Sequence, residues 1–152
     1  MSGLNSYIFY ALLMLVAGLG IPVMAALNGG LGAKIQSPAL ATSILFIVGS
    51  VISLGYLFVS DGMPKSSPVE PIPIYFYFGG FFVIFYILSI TWVAPKFGVG
   101  NAVSFVLLGQ IISMAIIDHY SLLGASQNPI SVQRLIGIIL MVAGVFMAVR
   151  RF

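Results

Sequence analysis

Gln110 lies near the middle of an apolar run, Val99 to Tyr120, and Ser113 follows it three residues on. At 100° per residue the two side chains stand about 60° apart on a helix, so they share a face. Asn101 and Ser104 line another face near the start of the same run. An amide without a partner is costly in hydrocarbon. Such groups bind a solute at mid-membrane depth or hydrogen-bond across helix pairs, and both roles combine if the run lines a cavity between protomers. Asp118 and His119 form the chain's one acid–imidazole pair. His titrates near neutral pH, which makes the pair a candidate for proton coupling. It stands about 12 Å beyond Gln110 along a helix, and the alternative is a solvated pair at headgroup level. Adjacent helical residues point about 100° apart, which turns the two away from a single small site. Asn28 precedes Gly29, Gly30 and Gly32. It reads as a helix stop, or as a flexible terminus able to coordinate a solute. Tyr86 brings a hydroxyl into an aromatic run that also holds Phe81, Phe82 and Phe85.

Other chemistries are excluded. There are no cysteines, so disulfides, thiol catalysis and thiolate metal sites are absent. No nucleotide-binding loop, zinc spacing or nucleophile–base pair is visible, and the chain reads as a non-enzyme without metal or cofactor. The net charge of +3 and a pI near 9.4 read as flanking anchors. No basic patch interleaved with aromatic residues supports a nucleic-acid partner.

The polar groups must be positioned by five apolar stretches, Tyr7–Leu27, Pro38–Val59, Pro73–Ala94, Val99–Tyr120 and Ile130–Val149. A hydrocarbon core of ~30 Å needs roughly 20 helical residues. The 152-residue chain is 61% hydrophobic and 6% charged, with a mean hydropathy of +1.17; soluble domains carry roughly 25% charged residues. Runs such as Phe81-Phe82-Val83-Ile84-Phe85 are continuous. Barrel strands would alternate, so the spans are helices, which satisfy their own backbone in lipid. The expectation is an all-α integral membrane protein, one transmembrane domain over residues 1–152 with the lipid bilayer as its solvent.

Punctuation supports these limits. Asn28-Gly29-Gly30 closes the first helix. Ser37 caps the second, with Pro38 at its first position. The connection Asp61 to Ile72, with Pro64, Pro68, Pro71, Lys65 and Glu70, reads as extended and at the surface. Pro95 ends the third helix, and Pro95-Lys96-Phe97-Gly98 forces a tight antiparallel hairpin. Gln127-Asn128-Pro129 leads into the fifth. The first stretch has no Lys or Arg in front of it and exceeds a signal-peptide core, so it reads as a span. Pro22 removes a helix hydrogen bond. With Gly20 just before it, the kink is a gating hinge or a packing feature. Gly49 with Ser53, Gly79-Gly80, and Gly137 with Gly144 read as points of close helix contact.

With five spans the termini lie on opposite sides. One side carries Lys34, Lys96, Arg150 and Arg151; the other carries Lys65 and Arg134. The excess places the C-terminus in the cytoplasm. So small a bias permits insertion in both orientations. An odd number of spans cannot split into two equal halves, so any pseudo-two-fold symmetry of the kind found in transporters needs a second chain.

The stretch Gly109-Gln110-Ile111-Ile112-Ser113 through Asp118-His119-Tyr120, with Leu122-Leu123-Gly124 after it, resembles the signature of the YdcZ-like proteins of the drug/metabolite transporter superfamily. Pro22 with Ala25-Ala26-Leu27-Asn28, Gly79-Gly80, Pro95-Lys96-Phe97-Gly98 and Arg134-Leu135-Ile136-Gly137 also look like that family's pattern. The resemblance implies a small bacterial inner-membrane protein of five helices, working as an antiparallel dimer or as half of a two-fold ten-helix unit. Four-helix relatives that export cationic drugs carry a glutamate in the first helix. Here the one glutamate is Glu70, in a loop.

The expectation is therefore a secondary transporter or facilitator for a small neutral or zwitterionic solute. It would act as an antiparallel homodimer or a heterodimer with a homologous chain. Gln110, Ser113 and Asn101 would line the path, with Asn28 and Tyr86 behind them. The rivals are a non-transporting membrane subunit, whose polar groups only hold helices together, and a passive channel.

Overall fold

A computed structural model describes residues 2–60, 62 and 71–149, with side chains from residue 6 onward. Most of the Asp61–Ile72 connection, with Asp61, Pro64, Lys65, Pro68 and Glu70, lies outside the described residues, as do Arg150 and Arg151. The described residues are helical and contain no strand. Five helices are long and apolar enough to cross a membrane: Ser6–Lys34, Pro38–Val59, Ile74–Phe97, Val99–Tyr120 and Val132–Val149. The chain divides into two compact units, Met1–Lys96 and Phe97–Phe152.

The first unit holds α1 (Ser2–Lys34), α2 (Pro38–Val59), a 3₁₀ turn over Ile74–Phe78, and α3, which begins at Gly79 and ends at Phe97. α1 does not stop at Leu27. It runs through Asn28-Gly29-Gly30 to Lys34. The glycines that suggested a stop are packing positions instead. A Cβ on Gly32 would stand 3.0 Å from Thr91 Cγ2 and 3.4 Å from Pro38 Cα, and one on Gly29 would stand 3.4 Å from the Pro95 ring. In hydrocarbon an early stop would strand carbonyls with no water to receive them, which outweighs the roughly 1 kcal/mol that glycine costs a helix.

The actual stop is a Schellman turn. Gln36 takes a left-handed φ of 54°, the Ser37 N–H donates to the Gly32 carbonyl at 3.0 Å, and the Gln36 N–H donates to the Ala33 carbonyl at 3.4 Å. Ser37 then caps α2. Its Oγ accepts from the Leu40 N–H at 3.2 Å, and Pro38 occupies the first turn, where its missing N–H is harmless. Pro95 also lies inside its helix, which continues to Phe97. The break comes at Gly98, with φ 92°.

The second unit holds α4 (Val99–Tyr120), a short 3₁₀ turn over Leu122–Gly124, and α5 (Val132–Val149). α5 starts two residues later than the hydropathy suggests. The reason is a cap: Ser131 Oγ accepts from the Arg134 N–H at 3.2 Å, and its carbonyl accepts from the Leu135 N–H at 2.9 Å.

Burial is inverted relative to a soluble protein. Most large apolar side chains are exposed, as lipid-facing bulk must be, while most buried positions are small or polar: Ala25, Ala41, Ala94, Asn28, Thr42 and Thr91 in the first unit, Ala102 and Ala115 in the second, with Ile87, Ile90 and Ile111 as the large exceptions. Small residues at the contacts let backbones approach closely where no hydrophobic force drives them together. α1 changes character along its length: residues 6–20 are exposed throughout, and the buried positions begin at Ala25. Pro22 stands at that change, in an unbroken helix. The glycines expected at other close contacts face open space; a Cβ at Gly49, Gly79, Gly80, Gly137 or Gly144 meets nothing within 4 Å.

Candidate functional site

In the first unit the polar centre is Asn28 on α1 against Thr91 on α3. The Asn28 Nδ2 donates to Thr91 Oγ1 at 2.5 Å, and the two residues are 5% and 1% exposed. Asn28 therefore sits inside a helix and spans to another one. The close approach is eased by Gly32, one helical turn along, where an added Cβ would press on Thr91 Cγ2 at 3.0 Å. Two more hydroxyls, Thr42 Oγ1 and Tyr86 OH, are buried without a partner among the described residues.

Two clefts open on this unit. One, of about 230 Å³, lies at the ends of α1 and α3 and is lined by Gly32, Gln36, Pro38, Thr91, Trp92 and Lys96, among others. There the Lys96 Nζ stands 3.9 Å from the centre of the Trp92 ring, a cation–π contact at the end of the span. The other, of about 410 Å³, is lined by Ala39, Thr42, Ser43, Phe46, Ile84 and Leu88.

In the second unit α4 carries the groups singled out by sequence. Gln110 and Ser113 are exposed, next to buried Ile111 and Ala115. Among the described residues neither side chain has a hydrogen-bond partner. Asn101 is half-buried; its Nδ2 donates to the Phe97 carbonyl at 2.9 Å, which ties it to the turn before α4. Gln110 and Ser113 thus stay together, while Asn101 is engaged locally. The cleft between α4 and α5, lined by Phe105, Leu108, Val145, Phe146 and Val149, is about 90 Å³ and wholly apolar, too small for most solutes.

Asp118 and His119 both fasten the α4–α5 connection. Arg134 Nη2 pairs with the Asp118 carboxylate at 2.5 Å, and Arg134 Nη1 donates to the Asn128 carbonyl at 2.8 Å. The Asn128 N–H returns to the Asp118 carbonyl at 2.9 Å. His119 Nδ1 accepts from the Ile130 N–H at 3.2 Å. Arg134 thus bridges the end of one span and the start of the next. Among the described residues no group of His, Asp and Glu could hold a metal ion.

The surroundings of three polar positions escaped sequence reasoning. Arg134 carried a usable signal, because an acid ending one span and a base starting the next must meet on the same side of the membrane. Thr91 and Thr42 carried none, since threonine is common in apolar helices and nothing local marks a partner 63 residues away.

A family model described as "Putative inner membrane exporter, YdcZ" matches residues 9–147. The match reaches into all five apolar helices and covers every polar position described above. No curated protein matches the chain. No solved structure matches it either.

Proposed function

The chain belongs to the YdcZ family of inner-membrane exporters, and on that premise we propose that it moves a small neutral or zwitterionic solute as a dimer, with the α4 face of Gln110 and Ser113 lining the path. The observation that carries this reading is the state of Gln110. It lies mid-span on a 22-residue helix, exposed and without a partner among the described residues. A bare amide facing acyl chains costs several kcal/mol, so this face calls for something polar beyond the single chain. A second copy, inserted antiparallel, and a hydrated solute path between the copies would supply it.

The solute class follows from charge. Among the described residues the charged side chains lie at the ends of the spans: Lys34, Lys96, Asp118 and Arg134. No midplane acid is available to hold a strong cation. A proton route through Asp118 would have to break its ion pair with Arg134 first, which favours a fastening role for that pair. Gly20 and Pro22 mark the boundary between the unpacked and packed halves of α1, the place where a rocking motion would bend it.

The test is counterflow in proteoliposomes with a panel of metabolites. Saturable counterflow, abolished by Gln110→Ala in a protein that still folds, supports the carrier. An unsaturable leak indicates a channel, and silence indicates a subunit without transport. Full transport by Gln110→Ala removes that residue from the path.

A further inference from the structure

Lys96 ends α3 with no acid to face. The described residues of the first unit include no aspartate or glutamate, so its lysines, Lys34 and Lys96, draw no counter-charge from them. A lysine in the last turn of a helix can serve the last carbonyls. Lys96 instead lies back over Trp92, one turn earlier, with Nζ 3.9 Å from the ring centre. Among the described residues no hydrogen bond or ion pair engages it. The ring holds the cation on one side only. Its N–H donors remain free on the other, and a side chain already held costs less to order on a ligand.

Gln36 reaches the same cleft from the turn between α1 and α2. It occupies a left-handed position, φ 54°, that glycine or asparagine usually takes. Its amide is exposed and has no partner among the described residues. Thr91 lines the cleft too, but its hydroxyl is engaged by Asn28. The groups left over are an ammonium, an indole N–H and an amide. Lysine and tryptophan donate only, so this set suits an anion.

Depth decides the source of that anion. The cleft lies at the end of a span, and Trp92 is 56% exposed. Tryptophan and lysine together mark the level of lipid head groups. The volume, about 230 Å³, is below the roughly 300–1,000 Å³ of sites that enclose a whole small molecule. It suits a head group whose acyl chains stay outside, along exposed side chains of α3 such as Phe85 and Leu88. A zwitterionic head group brings its own cation and would meet Lys96 only in part. An anionic one supplies the missing charge.

We propose that the cleft at the ends of α1 and α3 binds the phosphate of an anionic phospholipid, with Lys96 Nζ and the Gln36 amide as donors and the Trp92 ring beside the glycerol. The bound lipid would lie against the Gly32–Thr91 approach that joins the two helices. The site uses no residue of the Gln110 face and does not rest on the transport reading.

Trp92 is the chain's one tryptophan, so its fluorescence reports this cleft directly. The full chain is reconstituted in phosphatidylcholine bilayers, and quenching by phosphatidylglycerol with brominated acyl chains is compared with quenching by equally brominated phosphatidylcholine. The expected result is a roughly fivefold preference for phosphatidylglycerol at Trp92. Lys96→Gln should abolish the preference, Lys96→Arg should keep it, and Gln36→Ala should reduce it. Lys96→Met replaces the first variant if that one fails to fold. Lys34→Gln is the control, because Lys34 also ends a helix of this unit but does not line the cleft; it should leave the preference unchanged.

Equal quenching by the two lipids overturns the site. So does a preference lost equally in Lys34→Gln and Lys96→Gln, which would be general charge attraction. Inorganic phosphate titrated into phosphatidylcholine bilayers tests the other source. A change in Trp92 emission that depends on Lys96, with no preference for phosphatidylglycerol, assigns the cleft to a soluble anion and defeats the lipid site.

Discussion

Asn28 and Gln110 are both side-chain amides within apolar spans, yet they are handled in opposite ways. In the first unit Asn28 is buried and donates to Thr91, so the chain completes the bond by itself. In the second unit Gln110 is exposed and has no partner among the described residues. A paired amide inside a unit stabilises the packing of its own helices. An unpaired one at mid-span has nothing to stabilise among the described residues, which is the ground on which we propose an assembly or a ligand as its partner. The glycines differ in a similar way: Gly32 is pressed beneath Thr91, whereas Gly137 looks onto open space, as do Gly49, Gly79 and Gly80 of the first unit. The contrast lies between the α1–α3 contact, which the first unit completes by itself, and the Gln110 face, which has no partner among the described residues.

The sharpest way to break this contrast is at the glycines. Gly32→Val adds atoms where a single Cβ already stands 3.0 Å from Thr91, and should destabilise the first unit by about 3 kcal/mol, a large overpacking effect. Gly137→Val, with nothing within 4 Å of its Cβ, should change unfolding in bicelles by less than about 0.5 kcal/mol. Equal losses at both positions would dissolve the distinction. Asn28→Leu comes next. It removes an interhelical bond and leaves Thr91 unpaired, for a loss of about 1 kcal/mol by the same unfolding measurement. Stability equal to the parent chain would mean that the Asn28–Thr91 contact carries no weight.

A smaller effect is expected at the α4–α5 connection. Arg134 and Asp118 are 22% and 27% exposed, so solvent screens their pair. A double-mutant cycle with Asp118→Asn and Arg134→Gln should give a coupling below about 1 kcal/mol. A coupling several times larger would argue that the pair is sealed from water and does more than hold the turn. The smallest stability change belongs to Gln110→Ala, which should unfold within about 0.5 kcal/mol of the parent while losing flux. A large loss of stability there would turn Gln110 into a structural residue and remove the asymmetry between the units.

Hydropathy located all five spans because lipid imposes one requirement everywhere, a run of apolar residues long enough to cross. The limits of α2 and α4 were legible to the residue, since Ser37-Pro38 and Gly98 are strong local signals. The end of α1 was misread. Asn28-Gly29-Gly30 resembles a stop by propensity, but close packing against Pro95, Thr91 and Ala41 reverses its meaning. Pro95 was misread for a related reason: its ring packs on Gly29 inside a helix that goes on to Phe97. Among the site residues, Gln110 and Ser113 could be placed on one face by spacing alone, and Asp118 could be placed near a span end.

What the amino-acid order determined by itself was the apolar surroundings, the number of spans and the place of Gln110 and Ser113 along theirs, because these depend on composition along one dimension. Partnership was decided only in three dimensions. Asn28 finds Thr91 across 63 residues and Asp118 finds Arg134 across 16, while Thr42 and Tyr86 find no partner among the described residues. A hydrogen bond needs two groups within about 3 Å. No local pattern records that meeting; it follows from how closely the glycines and alanines of one helix let the next approach.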